Sequence, residues 1–255
     1  MGGDRFTGAP RSREYTTFVW KEANLRICSS RADVITESVK KLRAILERYI
    51  LLQPEFKTSL IPLPLLPEAP EIAVRMERAA EPCGVGPMAA VAGAVAEMCV
   101  EAAMAAGASE AIVENGGDIF IQSADVVDIG LYAGDHPLSG RLAFRISPEM
   151  MPLSVCSSSS RFGHSLSFGD CDLATIVCPD GALADAAATL AGNSVKSTRD
   201  VEPALEKIMK IEGIRGVLII KADKVGMAGD LPPLIRCEDP GLSEKTFHTQ
   251  KYRLQ

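Results

Sequence analysis

Residues 174–193 read ATIVCPDGALADAAATLAGN and predict a strand followed by a helix of small residues. The strand covers residues 173–178 and the helix covers residues 183–191. Asp185 and Thr189 are the only polar side chains in this helix. Alanine would favour the helix more at both positions if packing were the only demand. These two side chains therefore need an explanation.

The acid and the hydroxyl of this helix are four residues apart. Side chains at that spacing point from one face of a helix, so Asp185 and Thr189 offer two hard oxygens to a Mg²⁺ or Ca²⁺ ion. A purely structural explanation is also open. Asp185 would then be a first-turn acid favoured by the dipole of its own helix, and Thr189 would bond back to a backbone carbonyl. Taken alone, the helix favours the structural explanation.

A second polar motif lies about seventy residues earlier, where ENGGD occupies residues 114–118 between the apolar runs AIV and IFI. Two adjacent glycines predict a tight turn in which both take positive φ, and a plain hairpin explains the motif. The glycines also expose backbone N–H groups to a ligand, and Asn115 and Asp118 offer hydrogen-bonding partners. The motif alone does not decide between a hairpin and a binding turn.

Short strands and amphipathic helices follow one another along the rest of the chain. Strands are predicted over residues 16–27, 111–113, 119–122, 127–132, 142–146, 153–156, 173–178 and 216–221. Helices are predicted over residues 32–51, 88–106, 183–191 and 202–211. Antiparallel hairpins with helices packed alongside predict an α+β fold in one domain, residues 1–255. Residues 54–70 hold five prolines and predict a loop, either mobile and partner-facing or wrapped rigidly over the core.

Composition limits the partners and the compartment. Of the 255 residues, 47% are hydrophobic and 24% are charged, as in an ordinary soluble globular protein. The net charge of −6 gives no general attraction to a phosphate backbone, which predicts that nucleic acid is not a partner. The first 25 residues contain no apolar core of a secretory signal, which predicts a cytoplasmic protein.

Cysteines and the longest apolar run point to the interior of a globular protein. The seven cysteines include no C-x-x-C pair, so we predict neither a disulfide framework nor a zinc knuckle, and most should be buried free thiols. Residues 87–108 are apolar, but Glu97 and Glu101 interrupt them and would be costly in lipid. A packed internal helix is therefore predicted there, without membrane association.

Together the two motifs, ENGGDIF at residues 114–120 and the stretch at residues 174–193, resemble the ApbE family of flavin transferases in their order and spacing. The likeness covers residues 84–193. It implies ApbE-like layers of antiparallel sheet with packed helices, and it implies FAD or FMN with Mg²⁺ as cofactors. By this resemblance, the residues that line the flavin pocket are Asn115, Gly116, Gly117 and Asp118. Asp185 and Thr189 would hold a metal ion that bridges pyrophosphate oxygens.

Departures from the family's motifs bear on activity. The family's K-G-x-A turn would approach the pocket with backbone groups, but residues 84–89 read GVGPMA and have no lysine. The family's H-I-x-D-P-x-T-G segment is replaced by GHSLSFG at residues 163–169, where only the histidine has a counterpart. The resemblance therefore predicts a cytoplasmic branch of the ApbE-like superfamily with little or no classical FMN transfer onto a threonine.

A serine-rich stretch stands in place of the missing segment. Residues 154–169 read SVCSSSSRFGHSLSFG, with seven serines, and a solvated loop explains them. Alternatively, Ser159 and Arg161 bind a phosphate or carboxylate. His164 has a pKa suited to proton transfer near neutral pH. Cys156 is the nearby nucleophile, provided that His164 or Arg161 lowers the pKa of its thiol.

Two functions follow from these patterns. In the first, the protein binds a small-molecule or nucleotide ligand, a flavin above all, with Mg²⁺. In the second, it transfers sulfur, with a persulfide on Cys156 and the pocket as scaffold. Flavin colour or FAD binding would favour the first, and a persulfide independent of flavin the second. The sequence leaves enzymatic activity and a homo-oligomer open, and we predict that the hairpin and Asp185 converge on one cleft.

Overall fold

The computed structural model describes residues 12–159 and 169–237. Within these ranges the chain forms eleven strands and six α-helices. The strands are β1 Thr16–Trp20, β2 Ala23–Ser29, β3 Ala111–Asn115, β4 Asp118–Gln122, β5 Val127–Leu131, β6 Leu142–Ile146, β7 Leu153–Ser158, β8 Leu173–Cys178, β9 Gly216–Lys221, β10 Lys224–Gly229 and β11 Leu234–Arg236. The helices are α1 Ala32–Leu52, α2 Glu55–Thr58, α3 Glu71–Cys83, α4 Val91–Ala105, α5 Gly181–Ser194 and α6 Val201–Ile208.

Two antiparallel sheets organise the molecule. The large sheet has eight strands in the order β1-β2-β3-β4-β7-β8-β9-β10, and the small sheet has the order β11-β6-β5. Helices bury the larger apolar core against one face of the large sheet. The small sheet covers the other face, where a second apolar cluster contains residues of both sheets. The result is three layers, helices on sheet on sheet, which confirms the predicted α+β fold.

Helices α4 and α5 form the centre of the helical layer. Both consist mainly of alanine and other small residues, and seven of the 15 residues of α4 and 11 of the 14 residues of α5 are buried. Small side chains let them lie close to the sheet, where α4 packs on β3 and β4 and α5 packs on β7 and β8. The two helices also pack against each other. Helix α5, which carries Asp185 and Thr189, therefore lies inside the protein and is covered on more than one side.

One apolar helix meets the length requirement for a membrane span. Residues Pro87–Ala105, a 3₁₀ turn followed by α4, form the only such helix in the described part of the chain. In the structure this helix contacts α1, α5 and the large sheet, as a core helix does. The observed packing agrees with the internal helix predicted for residues 87–108.

Several local features differ from the sequence prediction, among them the short helix α2 inside the predicted loop at residues 54–70. Residues 16–27 form a hairpin, β1 and β2, rather than one strand, because the chain turns at Lys21, which has a φ of 54°. The pattern also does not predict α3, in which Pro82 and several charged residues obscure the apolar spacing. Its buried residues nevertheless recur every three or four positions and join the helical core.

The proline-rich segment wraps over the helical layer. The backbone N–H of Leu63 donates to Glu77 of α3 at 2.8 Å, and that of Leu66 donates to the Tyr49 hydroxyl of α1 at 3.1 Å. A Cβ at Gly86 would overlap the carbonyl oxygen of Ser59. Of the two alternatives for this segment, the structure supports the rigid wrap. It also explains Gly86 by contact with this segment, not by the approach to a pocket that the resemblance implied.

Candidate functional site

A two-residue turn joins β3 to β4. Gly116 and Gly117 have φ values of 68° and 107°, as predicted for this hairpin. Among the described residues, nothing lies within 4 Å of the position that a Cβ of Gly116 would occupy. The backbone conformation therefore accounts for glycine at residue 116, and the turn is open on that side.

Strand register directs the polar hairpin residues toward the helices. Asn115 is opposite Asp118, and Asp118 is opposite Cys156 on β7. Residues directly opposite in an antiparallel pair share one face of the sheet. Cys156 belongs to the core beneath the helices, so this is the helical face. Asn115 and Asp118 are both buried there.

Helix α5 begins at Gly181, two residues earlier than predicted. Asp180 is its N-cap, and the Asp180 Oδ1 accepts a 2.8 Å hydrogen bond from the backbone N–H of Leu183. Asp185 therefore lies beyond the first turn of α5, and the explanation that it complements the dipole of its own helix is wrong.

The Asp185 carboxylate instead receives the start of the neighbouring helix. Its Oδ2 accepts hydrogen bonds from the backbone N–H groups of Ala92 at 3.0 Å and Gly93 at 2.9 Å. These groups belong to the first turn of α4, which has no capping side chain of its own. Asp185 thus caps α4, although it lies 93 positions after Ala92 in the sequence.

The hairpin reaches the same segment of α4. The Asn115 Nδ2 donates to the Ala92 carbonyl oxygen at 3.3 Å, while the Ala92 N–H donates to Asp185. The hairpin and α5, separated by about seventy residues, therefore meet on Ala92–Gly93. The two motifs therefore meet as predicted, and the cleft between them stays a prediction. Sequence reasoning did not identify Ala92 and Gly93, which contribute backbone groups.

Glu97 is a second residue that sequence reasoning missed. Its Oε2 accepts a 2.8 Å hydrogen bond from the backbone N–H of Gly181, the first residue of α5. Helices α4 and α5 therefore cap each other, through Glu97 in one direction and Asp185 in the other. The signal for both was similar, an acid within a run of small apolar residues. From Glu97 the sequence predicted only that this helix does not span a membrane.

Two glycines make this mutual capping possible. A Cβ at Gly93 would overlap the carbonyl oxygen of Gly181, and a Cβ at Gly181 would lie 2.6 Å from the carbonyl oxygen of Gly93. No larger residue fits at either position without displacement of a helix backbone. The starts of α4 and α5 therefore touch, and each is capped by a carboxylate of the other helix.

The carboxyl groups at this place have raised pKa values. Burial, opposed by hydrogen bonds from the Cys156 thiol and the Ser157 backbone, raises the pKa of Asp118 to about 7. Burial, and then the negative charge of Asp118, raises the pKa of Asp185 well above its ordinary value, against the two hydrogen bonds from α4. Burial and the nearby Asp180 raise the pKa of Glu97 to about 7. Such clustering is typical of functional sites.

Cys156 does not have the environment of a nucleophile. Its side chain is fully buried, with the sulfur 3.2 Å from the Ser154 hydroxyl and 3.7 Å from the Gly181 carbonyl oxygen. Burial, Asp118 and Asp185 raise the pKa of the thiol well above its ordinary value. A reactive cysteine needs the opposite conditions, an exposed thiol with a lowered pKa. The structure therefore argues against the catalytic role predicted for Cys156 and against the sulfur-transfer function.

The remaining predicted site residues are only partly described. Thr189 lies one turn after Asp185 on α5 and is half-buried. Ser159 is half-buried immediately after β7. Arg161 and His164 lie outside the described residues, so their predicted roles remain predictions.

The donor groups near α4 suit a hard divalent cation that shares its coordination with a ligand. Among the described residues, no three His, Cys, Asp or Glu side chains come together to hold a metal ion. Mg²⁺ normally takes one or two protein carboxylates and completes its shell with phosphate and water oxygens. Asp185 and Thr189 offer a carboxylate and a hydroxyl, and Asp118 has a buried oxygen without a hydrogen-bond partner. The residues present therefore fit Mg²⁺ bound together with a phosphorylated ligand.

Known proteins share both the sequence and the fold. A family model described as AbpE bacteria matches residues 9–225. A UPF0280 protein of Methanocaldococcus jannaschii is 42% identical over 207 residues, covering 79% of this chain and 84% of the relative. A UPF0280 protein of Methanopyrus kandleri is 43% identical over 208 residues, covering 78% of this chain and 82% of the relative.

Solved structures of ApbE proteins share the fold at low sequence identity. The flavinyl transferase ApbE of Pseudomonas stutzeri, in its apo form, superposes with a TM-score of 0.54 at 10% identity, over 86% of this chain and 94% of that chain. The ApbE protein of Thermotoga maritima superposes with a TM-score of 0.50 at 14% identity, over 94% of this chain and 100% of that chain. By its sequence match and its fold, the chain belongs to the AbpE bacteria family within the ApbE-like superfamily.

Proposed function

We propose that this protein binds a flavin nucleotide, FAD or FMN, together with Mg²⁺ where the β3–β4 hairpin meets α4 and α5. The observation that carries the proposal is the meeting of Asn115 and Asp185 on Ala92–Gly93. A glycine turn and a buried carboxylate there are groups that can bind a pyrophosphate with its cation. The fold shared with flavin transferases supports flavin as the nucleotide.

The environment of Asp185 favours a bound cation. A carboxylate buried beside a second carboxylate is unfavourable in its ionised form. A divalent cation would remove that penalty, and Asp185 with Thr189 would hold it. When bound, the ion would neutralise phosphate oxygens of the nucleotide. Asp185 would then accept the hydrogen bonds of α4 through Oδ2 and attract the cation through the negative charge of its carboxylate.

Classical FMN transfer is not part of the proposed function. The lysine of the family's glycine turn is absent at residues 84–89, and Gly86 packs on Ser59 of the proline-rich segment. We therefore expect little or no FMN on a threonine-bearing acceptor after incubation with FAD and Mg²⁺. Mass spectrometry of the acceptor is the measurement, and stoichiometric flavinylation would show that the chain is a transferase.

Calorimetric titration with FAD, with and without excess Mg²⁺, tests the binding proposal. We expect Mg²⁺-dependent binding by the natural protein, no such binding by Asp185→Asn, and a weaker loss in Thr189→Val, which removes one neutral oxygen. Asp128→Asn is the matched control, because Asp128 pairs with Arg145 in the small sheet on the other side of the large sheet. If Asp185→Asn and Thr189→Val both bind FAD with unchanged Mg²⁺ dependence, the proposed metal site is wrong.

A further inference from the structure

Asp118 has a carboxylate oxygen that nothing in the described protein satisfies. The residue is 8% exposed, and its Oδ1 is buried without a hydrogen-bond partner. The Cys156 thiol and the Ser157 backbone lower the pKa of this carboxyl group against the larger effect of burial, so both lie close to it. Buried polar atoms are nearly always paired, and an unpaired one is costly. A bound ion or ligand can give Asp118 Oδ1 the partner that the described residues do not supply.

Asp118 and Asp185 face the same place from different elements. Asp118 lies opposite Asn115 on the helical face of the sheet, and Asn115 bonds to the Ala92 carbonyl. The Ala92 N–H in turn bonds to Asp185. Among charged groups, Asp118 has the largest electrostatic effect on Asp185. In the described ranges, no lysine or arginine forms an ion pair with either carboxylate.

We infer that Asp118 is a second protein ligand of the divalent cation, so that the ion lies between β4 and α5 and contacts carboxylates of both. The inference rests on the proposed function for the cation but assigns Asp118 a different role from lining a flavin pocket. A divalent cation would give Oδ1 its missing partner and offset two negative charges at once. Two carboxylates with phosphate and water oxygens form a usual Mg²⁺ shell.

The arrangement also selects the class of metal. Both carboxylates are hard oxygen donors, and the only sulfur beside them belongs, among the described residues, to the buried thiol of Cys156. Carboxylate donors suit Mg²⁺ and Mn²⁺, whereas thiolate donors select softer ions. Mn²⁺ is therefore a suitable spectroscopic substitute for Mg²⁺ at this site.

Binding of Mn²⁺ alone, followed by electron paramagnetic resonance on the full-length protein, tests the inference without any activity. Asp118→Asn should lower the Mn²⁺ affinity by at least about tenfold, as should Asp185→Asn. Glu114→Gln is the matched control, because Glu114 belongs to the same hairpin but pairs with Arg26 at 3.0 Å. Its Mn²⁺ affinity should equal that of the natural protein. Asp118→Ala is a second variant, and circular dichroism checks that each is folded.

The outcomes separate this inference from the proposed function. If Asp118→Asn and Asp118→Ala bind Mn²⁺ as tightly as the natural protein, Asp118 is a buried protonated acid and the inference is overturned. Loss of Mn²⁺ and FAD binding in Asp185→Asn alone would overturn the inference and leave the proposed function standing. Loss of Mn²⁺ binding in both Asp variants, with no FAD binding by the natural protein, would support the inference and overturn the flavin proposal.

Discussion

Asp185 accepts hydrogen bonds from a helix other than its own, so two substitutions separate its structural contribution from its functional one. In Asp185→Asn the amide oxygen still accepts from Ala92 and Gly93, and the charge facing Asp118 is lost. We expect an unchanged or higher free energy of unfolding, together with loss of Mg²⁺-dependent FAD binding. In Asp185→Ala two buried N–H groups lose their partner, which costs about 1–3 kcal/mol.

Urea denaturation of the apo variants measures this difference. A variant that is at least as stable as the natural protein but binds nothing is the pattern expected of a functional acid. Equal destabilisation by Asn and Ala, with no effect of either on ligand binding, would instead show an acid kept only to cap α4.

The pKa of Asp118 predicts how stability depends on pH. Its value rises from 3.8 to about 7 on folding, so between these pH values the folded state holds a proton that the unfolded state has released. The free energy of unfolding should therefore fall as pH rises through this window. Asp118→Asn should flatten the dependence, and the part that remains should respond to Glu97→Gln, since Glu97 titrates in the same window.

Denaturation of the apo protein at pH 4 to 8 measures this effect, with excess Mg²⁺ as a second condition. Bound cation favours ionised carboxylates, so Mg²⁺ should restore stability mainly at the upper end of the range. A slope that is identical in the natural protein and in Asp118→Asn would contradict the raised pKa.

At the level of the helices, mutual capping makes the contact between α4 and α5 unusually sensitive to size. A methyl group at Gly93 would overlap the Gly181 carbonyl oxygen. We expect Gly93→Ala to cost about 3 kcal/mol or more, because neither helix backbone can move without loss of a cap. Gly192→Ala is the control within α5, since among the described residues its methyl group would meet only the Ser158 side chain, at 3.0 Å.

Urea denaturation compares these two glycine variants. In Gly192→Ala the better helix propensity of alanine, about 1 kcal/mol, offsets a small displacement of Ser158. Comparable losses in the two variants would show that the helix starts at Gly93 and Gly181 are free to separate.

The elements show which features the sequence could predict. Periodicity and turn residues gave α1, β6, β8, β9 and the Gly116–Gly117 turn, because each depends on local pattern. The start of α5 was misplaced by two residues, since its first residue, Gly181, donates its backbone N–H to Glu97, 84 positions away in sequence. Local pattern does not reveal such a partner.

Of the candidate site, the sequence could predict side chains but not the backbone groups that they contact. Resemblance selected Asn115, Asp118 and Asp185, and folding brings all three to the start of α4. The backbone groups of Ala92 and Gly93 and the orphaned oxygen of Asp118 depend on packing. The burial of Cys156 and the raised pKa of its thiol likewise depend on packing and on charges from two other elements.

For the whole molecule, the site joins three parts of the fold, the large sheet and the starts of two helices. A ligand that binds only the folded state should therefore stabilise the entire protein. FAD with Mg²⁺ at one hundred times its Kd adds about 2.7 kcal/mol, and this corresponds to a rise in Tm of roughly 5–10 °C for a protein of this size.

Thermal denaturation with FAD and Mg²⁺ measures this shift, and FAD with a chelator is the control. Asp185→Asn should show no shift under either condition. A rise in Tm that persists in the chelator would separate flavin binding from the metal ion.

The mutual caps of α4 and α5 also have a consequence for a chain that is made one residue at a time. Ala92 leaves the ribosome 93 residues before Asp185, which is the residue that accepts its N–H. At usual rates of synthesis this interval lasts roughly 5–20 s. Throughout that time α4 exists with an uncapped first turn and with the strands β3 to β8 emerging behind it. The first turn of α4 therefore lacks its cap until α5 has been made. A pause in synthesis before residue 185 would prolong this uncapped state, in which the nascent protein is most exposed to misfolding.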